Sequence, residues 1–179
     1  MLPLAAFGPR IVIIGASNGG KSTLADALSR KLGIPAIHLD QLYHLPNTDW
    51  QPRPQQDFVA LHDTAIAGES WVVEGNYAIA MPQRLARATG LIWLDTAALP
   101  SGLRYIRRTL MQGSHRVGAL QGAPERLKWS PLSYILFEQP RKRAKYAALL
   151  AGCDFPQLRL KSLAEIKACY RHWDLTAAL

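Results

Sequence analysis

The chain has 179 residues, 49% of them hydrophobic and 19% charged, with a formal net charge of +8. That length suits one domain with a core able to fold unaided; Met1–Ala6 is too short for a signal-peptide core, and no apolar run approaches the roughly 18 residues of a membrane span. Cys153 and Cys169 are too few for a disulfide framework and form no ligand-spaced cluster, so two reduced thiols and a cytoplasmic location are expected.

Ile11-Val12-Ile13-Ile14 reads as a buried parallel strand. It runs into Gly15-Ala16-Ser17-Asn18-Gly19-Gly20-Lys21-Ser22-Thr23, which satisfies G-x-x-x-x-G-K-[ST], and then into a helix with Leu24, Leu28 and Leu32 on one face and Gly33 as its stop. Strand, glycine-rich turn and helix N-terminus are the context in which this spacing cradles phosphate. Backbone N–H groups and the helix dipole converge on one point, and Gly15, Gly19 and Gly20 permit positive φ and close approach. Lys21 would reach the β- and γ-phosphates, and Ser22 would offer its hydroxyl to Mg²⁺. A bound nucleoside triphosphate, ATP with Mg²⁺, is therefore expected.

Pro35–Leu39 is a second strand ending at Asp40, followed by a loop from Gln41 to Pro54. Phe58, Leu61 and Ala65 keep helical spacing up to Gly68. Trp71-Val72-Val73 is a third strand closing on Glu74-Gly75-Asn76-Tyr77, and a short helix around Met81–Ala88 is stopped by Gly90. Leu91–Leu94 is a fourth strand ending at Asp95, before an apolar stripe of Leu99, Leu103, Ile106 and Leu110. Three glycines punctuate Gln112–Pro124, a candidate lid. A helix begins at Ser130-Pro131, bends near Pro140 and ends at Gly152. Leu158–Leu160 is a fifth strand, and Ser162-Leu163-Ala164-Glu165 is a capping box that opens a last helix with Ile166, Cys169 and Trp173 inward. With no repeat or linker, residues 1–179 read as a single α/β domain: a five-stranded parallel sheet, doubly wound, with ligands at the carboxyl ends of the strands.

Asp40, Glu74 and Asp95 all fall at those ends. Glu74 stands where an acid should hold Mg²⁺ or its waters, and Asp40 competes as a metal-shell group or as a base for an alcohol acceptor. Tyr43, Trp50, Arg53, Asn76, Tyr77 and Arg84 are candidates around the acceptor, the aromatics for stacking and the arginines for clamping an anion. From Arg104 to Lys145 the chain carries ten basic residues and two acidic ones, so this stretch holds the whole net charge. Arg104, Arg107 and Arg108 share a helical face, and Arg108 and Arg116 are the candidates to reach phosphate from a closing lid. A nucleic-acid backbone is the other polyanion that such a segment suits.

The chain resembles the adenylate-kinase-like small P-loop kinases, and within them the DNA topology modulation group. The resemblance rests on Gly15–Thr23, Ile37–Asp40, Trp71–Tyr77, Arg84, Leu91–Asp95, Arg104–Arg108 and Gly122–Glu125. It implies a nucleoside-monophosphate-kinase-like fold with strand order 2-3-1-4-5, a small lid, and adenine held near Lys161-Ser162. Where adenylate kinases carry Gly-Phe-Pro-Arg, this chain has Gly75-Asn76-Tyr77-Ala78, so Arg84 or Arg53 would have to replace the missing arginine. The expected activity is a Mg²⁺-ATP-dependent phosphotransferase with a small-molecule acceptor, a nucleotide among the candidates. An ATP-switched nucleic-acid-binding regulator and an alcohol kinase resembling shikimate or gluconate kinases are the alternatives. No membrane partner is expected, and the sequence is silent on oligomeric state.

Overall fold

The computed structural model describes residues 1–96 and 139–176, with the side chains of 139–142 left out of the description. Strands β1 (Arg10–Gly15), β2 (Ala36–His38), β3 (Trp71–Glu74), β4 (Gly90–Leu94) and β5 (Gln157–Leu160) form one sheet. Its order is β2-β3-β1-β4-β5 and every pairing is parallel. Helices α1 (Lys21–Leu32), α2 (Leu39–Tyr43), α3 (Gln55–Ala65), α4 (Met81–Arg87), α5 (Gln139–Leu150) and α6 (Leu163–His172) complete the described elements, with two short 3-10 turns. The expected fold class and strand order are both present.

Alternation along the strands divides the core in two. Ile11, Ile13, Val72, Ile92 and Leu94 pack against Leu24 and Leu28 of α1 and Cys169 of α6. Val12, Ile14, Val73, Leu91 and Trp93 pack on the other face against Leu39, Met81 and Leu150, from α2, α4 and α5. A sheet covered on both faces needs apolar residues at consecutive positions, which is why β1, β3 and β4 read as continuous hydrophobic runs.

Some local expectations change. Leu32 is exposed, because the buried side of α1 ends at Leu28. In α3 the buried positions are Phe58 and His62, while Leu61 is exposed; a polar imidazole occupies the apolar stripe. The segment after β2 opens as helix α2, so Asp40 sits in a helical first turn and not on a loop. Gly90 opens β4 with its Cα side closed off by Phe7, rather than ending α4 at Arg87. The capping box at Ser162 is present: Ser162 Oγ accepts from Glu165 N at 3.2 Å, and the Glu165 carboxylate accepts from Lys161 N at 2.7 Å. The lid at 112–124, the stripe from Leu99 to Leu110 and the helix start at Ser130-Pro131 lie outside the described residues.

Candidate active site

The phosphate loop leaves β1 at its carboxyl end. Gly15 has φ 142° and lies so close to β4 that a Cβ would stand 2.2 Å from the Leu94 carbonyl oxygen. Asn18 and Gly20 take positive φ, at 58° and 93°. Gly19 does not; its need for glycine is steric, since a Cβ would approach Ala16 O to 2.7 Å. The loop is held by Ala16 N donating to Leu94 O at 3.0 Å and Gly19 N to Ala16 O at 2.9 Å. Gly20 caps α1 without a side-chain bond, and the first intrahelical bond runs from Leu24 N to Gly20 O. The N–H groups of Lys21, Ser22 and Thr23 therefore project from the helix end towards the loop. Lys21 Nζ lies across the loop, donating to Gly15 O at 3.3 Å and Ala16 O at 3.1 Å.

Asn76 is a candidate for the acceptor side, yet its amide grips Gly15 from both directions. Gly15 N donates to its Oδ1 at 3.0 Å, and its Nδ2 donates to Gly15 O at 2.7 Å. Tyr146 of α5 donates to Asn76 O at 3.0 Å. The loop entrance is thus tied to the turn after β3.

Glu74, the last residue of β3, is 3% exposed. Ser22 Oγ donates to its Oε1 at 2.9 Å, and His38 Nδ1 lies 3.0 Å from the same oxygen. Burial alone would push this carboxyl up; bonds from His38 and Ser22 and the charge of Lys21 outweigh it and hold the group low, as the carboxylate. The parallel register sets His38 opposite Glu74. His38 was not singled out from the sequence. Its signal is its place at a strand end, one position before α2 and level with the acid.

Across the edge, Tyr77 donates its hydroxyl to Asp40 Oδ1 at 2.6 Å. Burial, then the Asp40 carboxylate, pushes the Tyr77 phenol well above its ordinary range, so it remains a donor. Tyr43 packs on Tyr77 with ring centroids 4.6 Å apart and edge-on to Phe58 at 5.2 Å. Trp50 rests edge-on against His44 at 5.2 Å and has φ 61°, an outlier for a bulky side chain. A His44–Pro52 bridge, with Leu45 N bonded to Gln51 O and Arg53 N to Tyr43 O, holds this strap beside α2.

The two arginines proposed as substitutes differ sharply. Arg84 is fully buried, and its guanidinium donates to Gly75 O at 3.3 Å and Tyr77 O at 2.9 Å. Burial pushes it down to about 10, which leaves it charged at neutral pH. It supports the turn carrying Asn76 and Tyr77 from beneath. Arg53 is half-buried and follows the strap, with its buried Nε unpartnered among the described residues.

Asp95 is an ion-pair acceptor among the described residues. Its Oδ2 accepts from Arg143 Nη2 at 2.6 Å and from Arg159 Nε at 2.7 Å, while Arg159 also stacks over Trp93 at 4.2 Å. Lys161 and Ser162 lie in the turn from β5 to α6, where the Ser162 hydroxyl serves as the helix cap. Arg104, Arg107, Arg108 and Arg116 lie outside the described residues. A shallow apolar hollow lined by Leu85, Ala88, Leu149, Cys153 and Phe155 involves none of these polar groups.

Among the described residues no three His, Cys, Asp or Glu side chains converge on one metal position. The donors suit Mg²⁺ nevertheless, because that ion takes one or two carboxylates and completes its shell with phosphate oxygens and water. Ser22 has its proton committed to Glu74 and so presents lone pairs outward. Among the described residues no helix is long and apolar enough to cross a membrane.

No family model matches the chain, and no curated protein does. Solved structures do. A gluconokinase from Sinorhizobium meliloti 1021 aligns with a TM-score of 0.56 at 17% identity, covering 93% of this chain and 90% of its own. A shikimate kinase from Bacteroides thetaiotaomicron aligns with a TM-score of 0.50 at 18% identity, covering 91% and 94%. With five parallel strands in the order 2-3-1-4-5 and the phosphate loop after the first, the chain has the P-loop kinase fold.

Proposed function

We propose that this protein is a Mg²⁺-ATP-dependent phosphotransferase with a small-molecule acceptor. One observation carries the reading: the loop amides, Lys21, and the Ser22–Glu74 hydrogen bond meet at one edge of the sheet, next to the Asp40–Tyr77 pair. Phosphoryl transfer asks chiefly for positioning and charge stabilisation. The N–H groups of Lys21, Ser22 and Thr23 bind phosphate oxygens, and the Lys21 ammonium turns from the Gly15 and Ala16 carbonyls to the β- and γ-phosphates. Ser22 and Glu74 would hold Mg²⁺, and the ion would supply positive charge against those phosphates. Arg108 and Arg116 remain proposals for the lid, and Lys161-Ser162 for the adenine side.

The pair at Asp40 favours an alcohol acceptor. A carboxylate already fixed by a phenol keeps a second oxygen for a substrate hydroxyl and can take its proton. Arg84 is committed to backbone carbonyls, so any anionic group on the acceptor falls to Arg53. Tyr43 and Trp50 supply faces for a ring or sugar. The Trp71–Tyr77 and Leu91–Asp95 segments support placing the chain in the DNA topology modulation group.

An ADP-release screen over small alcohols, sugar acids and nucleoside monophosphates, beside ATP thermal shifts, tests the reading. Lys21→Ala abolishes the ATP shift, and Asp40→Asn abolishes turnover while the shift survives. No ATP binding by the wild-type protein sinks the proposal; full turnover in Asp40→Asn sinks the alcohol assignment alone.

A further inference from the structure

We infer that His38 is a positioning residue that sets how strongly Mg²⁺ and nucleotide reinforce one another, acting through Glu74 on Ser22. This rests on the phosphotransferase reading and adds a residue outside the phosphate loop to its donor site. Three observations lead to it. First, His38 Nδ1 and Ser22 Oγ both contact the same oxygen, Oε1 of Glu74, at 3.0 and 2.9 Å. Second, the Glu74 carboxylate is buried, with 4% of its side chain exposed, and His38 has 11%, so water competes little for these bonds. Third, the contact follows from the backbone, because β2 and β3 pair in a register that sets His38 level with Glu74.

The chemistry runs in one direction. An ionised carboxylate only accepts, so Nδ1 carries the proton in this contact. With the imidazole donating from the β2 side and the hydroxyl from the α1 side, the carboxylate cannot rotate about its last bond without breaking one of them. Ser22 then keeps its hydrogen aimed at Oε1 and its lone pairs turned towards the loop. Oε2, which has no hydrogen bond from the described residues, stays available to a cation or its water. Without His38, Glu74 can rotate, and Ser22 has a second choice of hydrogen direction that points a proton where a cation must sit. Groups that orient a metal's ligands typically change metal affinity by about 10–100-fold when removed.

The test is calorimetric titration of a non-hydrolysable ATP analogue, once with Mg²⁺ and once with EDTA. The ratio of the two affinities is read for wild type, His38→Ala and His38→Asn. The expected result is a loss of about tenfold in that ratio for His38→Ala, with the EDTA affinity within about twofold of wild type. His38→Asn keeps an N–H donor near the Nδ1 position and recovers most of the ratio. Melting curves of the free proteins accompany the titrations. An unchanged ratio in His38→Ala overturns the inference, as does an equal loss with and without Mg²⁺, which marks a purely structural role. No nucleotide binding by the wild-type protein overturns the phosphotransferase reading and this inference with it.

Discussion

Asp40 and Tyr77 show how far single residues carry the chemistry. A phenol bonded at 2.6 Å to a carboxylate is a charge-assisted contact, about 1.5–3 kcal/mol when removed. On the proposed alcohol-acceptor reading, Tyr77→Phe frees Asp40 to rotate and turnover falls by about tenfold to a hundredfold, while nucleotide affinity measured by calorimetry is unchanged. Asp40, Glu74, Lys21 and Ser22 were legible in the sequence because strand ends and the loop spacing locate them. Partnerships were not. Asn76 grips Gly15 from 61 positions away, and Asp95 draws Arg143 and Arg159 from 48 and 64 positions away. Such pairs depend on which strands become neighbours, and residue type alone carries no trace of that. Arg84 illustrates the same limit: only its burial separates an arginine that supports a turn from one that meets a ligand.

At the scale of elements, hydrophobic runs located β1, β3 and β4, where a sheet covered on both faces leaves little choice of residue, while the half-buried edge strands β2 and β5 were located by shorter apolar stretches. Helices were harder. The stripe on α3 was misplaced because His62 is buried where an apolar residue was expected and Leu61 faces water. Helix α2 escapes a sequence reading, which ends a strand at Asp40 and opens a loop at Gln41, because five residues give too few turns for periodicity. The cap of α6 was legible from four letters, and its strength is measurable. Ser162→Ala removes the oxygen that accepts from Glu165 N and lowers stability by about 1 kcal/mol in chemical denaturation; Glu165→Gln, which retains an acceptor, costs less.

The whole molecule should be sensitive to acid through two buried groups. Burial lowers the His62 imidazole below 6.5, although the neighbouring Asp63 pulls the other way. The unfolded chain therefore takes up that proton first, and stability falls as pH drops below about 6.5. Glu74 is held below its usual 4.5, so its contribution is complete above that value and fades as pH falls through its lowered folded pKa. The melting temperature accordingly declines from pH 7 towards pH 4. His62→Leu flattens the limb just below pH 6.5, where one proton accounts for at most about 1.4 kcal/mol per pH unit. Glu74→Gln flattens the lower limb. Fold and proposed donor site thus share one carboxylate, whereas the identity of the proposed acceptor depends on shape and charge that no short motif specifies. The far ends of the chain meet as well: Trp173 packs edge-on against Phe7 at 5.4 Å and donates to Leu2 O at 3.0 Å. During synthesis, at about 5–20 residues per second, Phe7 therefore waits on the order of ten to thirty seconds for its partner. The phosphate loop is thus made well before α6 and Trp173 complete the core beneath it. Throughout that interval α1 alone covers this side of β1, and the share of the core that Cys169 and Trp173 complete stays open.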